Sequence, residues 1–295
     1  MSENSIIPNE LFQPAADVVN NLINKISDAI GYIVEPRGKR KDKEEAVAFL
    51  TEKIRNDSEM PPLAKAAAIS NVRQMIQKYS NQNDIINLAM QQLNTNAQPE
   101  KIDNDWITEF LDKAQNISKD EMQKIFARIL VKECEQEGSI SKQLINILSI
   151  IDSDLANAFK RLCKYLVFIK FKNKETNKEG EDVQIIIGKV SKLKEDHINL
   201  KYMEIEELSN IGLIRFVSIG EYVKNDLITE FVYGPFSYKV KNIPPNGYLV
   251  GQVDLTTAGA ELASIFVREY ELEYIPTLDD FFKIRGYEVE KEYDM

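Results

Sequence analysis

Histidine is nearly absent: His197 is the only one in 295 residues. An acyl-transfer triad needs an imidazole base beside a serine or cysteine nucleophile. His197 lies in Glu195-Asp196-His197-Ile198-Asn199-Leu200, a strand or turn with no such motif near it. Cysteine is almost as scarce. Cys134 and Cys163 are 29 residues apart and show no CxxC or HExxH spacing, which argues against zinc. Both sit in apolar helical patterns, the setting of buried free thiols in a reducing compartment. GxGxxG and GxxxxGK[ST] loops are missing, so no phosphate cradle and no cofactor are expected. Apolar runs such as Tyr165-Leu166-Val167-Phe168-Ile169 fall far short of a bilayer span. Ser2 to Ser5 carries no basic stretch leading into an apolar one, so no secretory signal is expected. Positive charge is in deficit, with 37 basic against 47 acidic residues. That balance argues against a protein that coats nucleic acid by neutralising phosphates, and it suits a cytoplasmic interaction protein.

What is present is helix grammar. The 43% apolar and 28% charged content is that of a globular protein with room for two domains and an extra arm. Val18, Val19, Leu22, Ile23, Ile26 and Ile30 follow helical spacing, closed by Gly31 and Pro36. The basic cluster Arg37, Lys39, Arg40, Lys41 and Lys43 reads as a charged interhelix loop that could touch nucleic acid or anionic lipid. Glu44 to Ile54 reads as a second helix and Pro61-Pro62 opens a third. Asn81 to Leu93 either continues that helix or restarts it, and Asn94 to Pro99 reads as a linker.

The richest stretch is Asp105 to Leu166. Ser118 and Glu121 form a capping-box pattern, with Ile117 and Met122 placed as a hydrophobic staple. Met122, Ile125, Phe126, Ile129 and Leu130 mark a buried face, and Gly138 ends that helix. Ser139 or Ser141 caps the next, carrying Leu144, Ile145, Ile147 and Leu148. Asp152 or Ser153 caps a fourth, carrying Leu155, Phe159, Leu162 and Leu166. Short connections make a small antiparallel bundle, in which the single Trp106 is a core anchor.

After Phe171 the period changes. Val183–Ile187, Thr229–Tyr233 and Tyr248–Val253 read as strands. A short helix Met203–Ile211 ends in Gly212, and Thr256 caps a helix running to about Tyr270. Helix, glycine turn, strand, loop, strand, helix is the order of the second half of a winged-helix domain. Pro276 to Arg285 forms a last short element, with Glu288 to Met295 as a frayed acidic tail. The expected fold is therefore mainly α: an N-terminal helical arm over 1–98, a central helical bundle over 99–170, and a C-terminal α+β winged-helix-like domain over 171–295.

Candidate chemistry is weighed against this frame. Glu133, Glu135 and Glu137 alternate at a helix end and point to different faces, so they do not converge on a metal. Asp152 and Asp154 form a DxD that helix capping explains. Asp182 with Ile187-Gly188-Lys189 is a near miss to a nuclease core, because the acidic position two before the lysine is Ile187. The presumed recognition helix Tyr202–Leu208 carries three glutamates, which would repel phosphates. Asp196 to Tyr270 holds six basic and ten acidic residues. Protein binding is thus the better reading of a winged helix here. Lys160, Arg161, Lys164, Lys170, Lys172, Lys174 and Lys178 remain the best candidate for a phosphate-facing surface, although a helix C-terminus favours cations anyway.

Three stretches together carry a family resemblance: Ile26-Ser27-Asp28-Ala29-Ile30-Gly31-Tyr32-Ile33-Val34-Glu35-Pro36; the Arg73-Gln74 helix leading to Asn83-Asp84-Ile85-Ile86; and Asp105-Trp106 through Met122-Gln123-Lys124-Ile125-Phe126-Ala127-Arg128-Ile129-Leu130 to Gly138-Ser139-Ile140-Ser141. The chain resembles an uncharacterised bacterial family, domain of unknown function 2806, and its central bundle is similar to the Abi-alpha proteins named for abortive infection. The likeness runs to about Leu166 and continues weakly through Leu255-Thr256-Thr257-Ala258-Gly259. Its motifs are structural and carry over no catalytic residue. The resemblance implies a bacterial cytosolic protein encoded near mobile elements or phage-defence genes. The expected function is a non-enzymatic regulator, sensor or adaptor acting by self-association or by binding a protein partner. A winged-helix-type nucleic-acid-binding regulator is the alternative, and an effector hydrolase or nuclease with a cryptic site the second alternative.

Overall fold

The computed structural model of the chain describes residues 13–30 and 40–293, with side chains over 16–29 and 43–293. The chain divides into two units, Met1–Ser149 and Ile150–Met295. Among the described residues helix predominates, and every strand lies in the second unit.

The first unit holds α1 (Gln13–Ile30), α2 (Arg40–Asn56), α3 (Pro62–Met90), α4 (Asn104–Ala114), α5 (Asp120–Glu135) and, apart from its last residue, α6 (Lys142–Ile150). Pro62 occupies the first turn of α3, where a missing N–H costs nothing. That helix continues unbroken through Asn81. Helix starts follow capping chemistry. The Asp103 carboxylate accepts from the Trp106 N–H at 2.9 Å to start α4, and Ser141 Oγ accepts from the Leu144 N–H at 3.2 Å to start α6. The Ser118–Glu121 capping box does not form. Turns out of α4, from Asn116 and Ile117 N–H back to Lys113 and Ala114 carbonyls, carry the chain past Ser118. The helix then starts at Asp120, with no side-chain cap on Lys119. Asp120 and Glu121 in its first turn complement the helix dipole instead.

Packing follows the apolar stripes. Val18, Leu22 and Ile26 of α1 are buried, and α1 lies against α4 and the short turn at Pro99–Lys101. Phe110, Phe126, Ile129, Leu130, Leu144 and Leu148 are fully covered. Trp106 is 4% exposed, stacks on Phe110 with centroids 5.2 Å apart, and donates its indole N–H to the Ile140 carbonyl at 2.8 Å. Asn94 to Pro99, expected as a linker, is tied down. Gln98 N–H donates to the Cys134 carbonyl at 2.7 Å, and Ala97 and Pro99 are buried.

In the second unit, α7 (Ser153–Leu162) leads through one tight turn to β1 (Leu166–Lys172). Leu166 therefore begins a strand and does not extend the helix. Val167 and Ile169 alternate into the core while Phe168 and Lys170 face the other way, a period of two that overrides the helical spacing. β1 pairs with β2 (Glu179–Ile185) and β5 (Leu227–Tyr233); β6 (Phe236–Val240) and β9 (Val289–Tyr293) complete an antiparallel sheet of order β2-β1-β5-β6-β9. The acidic tail is thus an edge strand. Its Glu292 and Glu290 meet Lys239 and Lys241 at 2.6 Å each, and Tyr293 packs on Phe236.

The inner face of the sheet presents Val167, Ile169, Phe231, Tyr233 and Tyr238, all buried. Against it packs α10 (Ile275–Ile284), with Phe282 4.9 Å from Phe231 and 5.1 Å from Tyr238. Around this core run α8 (Tyr202–Asn210), β3 (Ile214–Phe216), β4 (Val223–Lys224), β7 (Tyr248–Leu249), β8 (Val253–Leu255) and α9 (Thr257–Ser264). Gly212, at φ 85°, closes α8: its N–H donates to Ser209 and the Leu213 N–H reaches back to Leu208 at 3.1 Å. β3 then pairs with β8, and Thr256 Oγ accepts from the Gly259 N–H to cap α9. That helix ends at Ser264, short of Tyr270. The connection from β3 to β8 passes through β5 and β6 of the large sheet, so it is much longer than a single wing hairpin.

Candidate interaction surfaces

The α2–α3 hairpin is built from strong helix formers, among them Ala64, Ala66, Ala67 and Ala68. Val47 and Ile54 of α2 and Ile69, Val72 and Ile76 of α3 are half-buried. Lys65 Nζ donates to the Arg55 carbonyl at 2.9 Å, tying the two ends. A polar chain ties the hairpin to the body: Lys43 donates to Gln77, Gln77 to Asn81 at 2.7 Å, and Asn81 to the Gln115 carbonyl at 2.8 Å. The rest of the hairpin surface is unusually apolar. Phe49, Leu50, Leu63, Met75 and Tyr79 are exposed, Leu63 by 84% and Met75 by 69%. Among the described residues these five are all the exposed large apolar side chains of the first unit. The expected self-association rested on the helical arm over 1–98; within it the α1 stripe is covered by its own chain, at Val18, Leu22 and Ile26. The overlooked signal is that Leu63 and Met75 lie off the Ile69–Val72–Ile76 stripe.

Of the expected basic loop, Arg37 and Lys39 lie outside the described residues. Arg40, Lys41 and Lys43 open α2 and are not loop residues.

The seven-residue cluster does not form one free cationic face. Arg161 pairs with Glu204 at 2.7 Å, Lys164 with Glu271 at 2.7 Å and Glu269 at 3.2 Å, Lys170 with Glu230 at 2.7 Å, and Lys172 with Glu179 at 3.2 Å. Hydrogen bonds that Lys164 donates to Glu271 and Glu269 raise its pKa above the ordinary value. Burial opposes charge on Glu230, yet Lys170 and Ser237 outweigh it and hold that carboxyl below its usual range. Register explains the arrangement. Glu181, Lys170, Glu230, Lys239 and Glu290 face one another in a single row across all five strands, with alternating sign. Such cross-strand pairs stabilise a solvated sheet face. Lys160, Lys174 and Lys178 have no carboxylate partner among the described residues and sit apart, at the end of α7 and in the β1–β2 turn.

His197 adopts a left-handed turn at φ 55°, and the buried Tyr165 hydroxyl holds that turn. The hydroxyl donates to the His197 carbonyl at 3.3 Å and accepts from the Asn199 N–H at 2.8 Å. The imidazole is exposed, 4.0 Å from Glu273. It rims two open clefts, one of about 830 Å³ beside Asp154, Arg161 and Lys201, the other of about 560 Å³ beside Asp196, Asp280 and Arg285. Burial raises the Asp196 pKa, which Lys192 opposes. Arg285 is held in a two-pronged pair with Glu221 over the Phe281 ring.

Asp152, Asp182 and Glu133 are committed to structure. Asp152 Oδ1 accepts from the Leu155 N–H at 2.8 Å, capping α7. Asp182 pairs with Lys224 at 2.5 Å. Glu133, 1% exposed, accepts from the Gly138 N–H at 2.7 Å and the Ile140 N–H at 3.0 Å, and burial raises its pKa against those bonds. Burial also pushes both cysteine thiols up, which keeps them protonated and unreactive. Among the described residues no group of three or more His, Cys, Asp or Glu side chains is placed to hold a metal ion.

Fold and surfaces together define a helical unit followed by an α+β unit, with an apolar hairpin as the most distinctive surface of the first. The chain belongs to the family described as "Protein of unknown function (DUF2806)", whose model matches residues 68–279. No curated protein and no solved structure matches it. Among the described residues no helix is long and apolar enough to cross a membrane.

Proposed function

We propose that this chain is a non-enzymatic interaction protein that self-associates through the α2–α3 hairpin and serves as a regulatory or adaptor component. One observation carries the reading: among the described residues, all the exposed large apolar side chains of the first unit gather on that hairpin. Exposed apolar patches mark association surfaces. Charge favours a second copy as the occupant. Residues 40–80 hold eight basic and six acidic residues in a chain of net charge −10, so like-charge repulsion between copies is weak there. The resemblance to the Abi-alpha bundle supports a setting in bacterial phage defence, and the free thiols suit a reducing cytosol. Light scattering over a concentration series tests the reading. Mass rising above that of one 33.8 kDa chain supports it, and a monomer at high micromolar concentration removes it.

The second reading is a winged-helix-type regulator that binds nucleic acid. Unpaired Lys160, Lys174 and Lys178 favour it, as does the α8–β3 and β8–α9 arrangement. Against it stands α8 itself, with Glu204, Glu206 and Glu207. Binding to duplex DNA that falls steeply with salt supports this reading, and no binding at low salt excludes it.

A further inference from the structure

The outer face of the sheet, polar along its charge ladder, turns apolar at one end. There Leu166 and Phe168 of β1 and Val232 of β5 lie beside the segment 263–270, and with Cys163, Ala263 and Phe266 they bound a cavity of about 280 Å³. Tyr270 closes one wall by lying over Gly234, so near that a Cβ there would meet the ring at 2.8 Å. The mouth carries a cation. The Arg268 guanidinium sits 3.9 Å from the centroid of the Phe168 ring, and among the described residues no carboxylate pairs with it. Its acidic neighbours are already taken, since Lys164 holds both Glu269 and Glu271. A guanidinium stacked on an aromatic face keeps its hydrogen-bonding edge open.

We propose that this cavity binds a small apolar monocarboxylate, its hydrocarbon body against Leu166, Phe168, Val232 and Phe266 and its carboxylate on the edge of Arg268. Ligand sites combine an apolar lining with a few polar groups that fix orientation, and this cavity lies at the small end of their size range. Glu269 also lines the cavity but is neutralised by Lys164, so the one unpaired guanidinium balances one negative charge. A phosphate dianion would be left half-compensated, and a neutral hydrocarbon would leave the arginine without a partner. The small volume suits an acid of octanoate or phenylpropionate size. The site lies wholly in the second unit and does not depend on the hairpin, so its failure leaves self-association untouched.

Isothermal titration of the full chain with octanoate, kept below its micellar concentration, tests the proposal. Octan-1-ol serves as the neutral control. Saturable binding of one octanoate per chain is expected, weakened at least about tenfold in Arg268→Gln, the loss of a charge-assisted hydrogen bond. Octan-1-ol affinity stays the same in the two proteins. Arg268 is exposed, so its substitution leaves the core intact. Ala263→Phe, which fills the cavity, abolishes binding of both ligands. No heat from octanoate or phenylpropionate up to millimolar concentration overturns the proposal, as does equal octanoate affinity in the native chain and Arg268→Gln.

Discussion

Glu133→Ala is expected to destabilise the first unit by about 2 kcal/mol. The buried Ile140 peptide is held on both sides, its N–H by the Glu133 carboxylate at 3.0 Å and its carbonyl by the Trp106 indole at 2.8 Å. Removing the carboxylate leaves the Ile140 N–H buried and unpaired, at about 1–3 kcal/mol. The bond to the Gly138 N–H adds about 1 kcal/mol, less because water can reach that glycine. Relief of the carboxylate's own desolvation, the cause of its raised pKa, offsets part of the sum. The pH dependence has a definite sign. A carboxyl whose folded pKa is raised binds its proton more tightly when folded. This group's contribution is therefore greatest below the unfolded value and declines as pH rises through the folded one. Urea unfolding followed by Trp106 fluorescence reads this unit selectively, because Trp106 is the only tryptophan and lies within it. A Glu133→Ala protein within about 0.5 kcal/mol of the native chain, the range of a neutral surface change, would refute the clamp. So would additivity with Trp106→Phe in a double-mutant cycle.

Three further outcomes are expected. Gly259→Ala would place a Cβ 1.9 Å from the Leu213 carbonyl oxygen, forcing α9 off β3 and costing about 3 kcal/mol or more in thermal unfolding of the second unit. Thr256→Ala and Asp152→Ala should each cost about 1 kcal/mol by loss of a helix cap, measured the same way. Lys170→Glu puts three like charges in consecutive places of the cross-strand row and should lower the melting temperature, with added salt restoring part of the loss.

Helix identity was legible in the sequence wherever a short polar side chain preceded an apolar stripe, as at Asp152, Ser141 and Thr256. It failed at Ser118, because the helix begins at Asp120 with Lys119 at the N-cap, which leaves Ser118 one residue too early to cap it. Strand content was less legible. Leu162 and Leu166 keep helical spacing, so nothing local marked the change at Leu166, which depends on pairing with β2 and β5. The same holds for Val289–Tyr293, whose charges read as a solvated tail until Lys239 and Lys241 stand opposite them. The lysine cluster looked free for that reason too, since its glutamate partners are distant in sequence. Leu63 and Met75, off the Ile69–Val72–Ile76 stripe, were legible as surface residues from helical spacing, but how much of each is exposed depends on the docking of α2 on α3.

The most direct test of self-association is sedimentation velocity on the native chain and on Leu63→Glu/Met75→Glu across the same concentrations. Leu63 and Met75 are the two most exposed of the hairpin's apolar residues. Burying each contributes about 1.5–3 kcal/mol to a contact, so their joint replacement should weaken association at least about a hundredfold. Native oligomer against variant monomer, with equal helical content by circular dichroism, is the predicted result. An unchanged sedimentation coefficient, whether both proteins are monomers or both associate alike, would contradict the assignment of this hairpin as the interface.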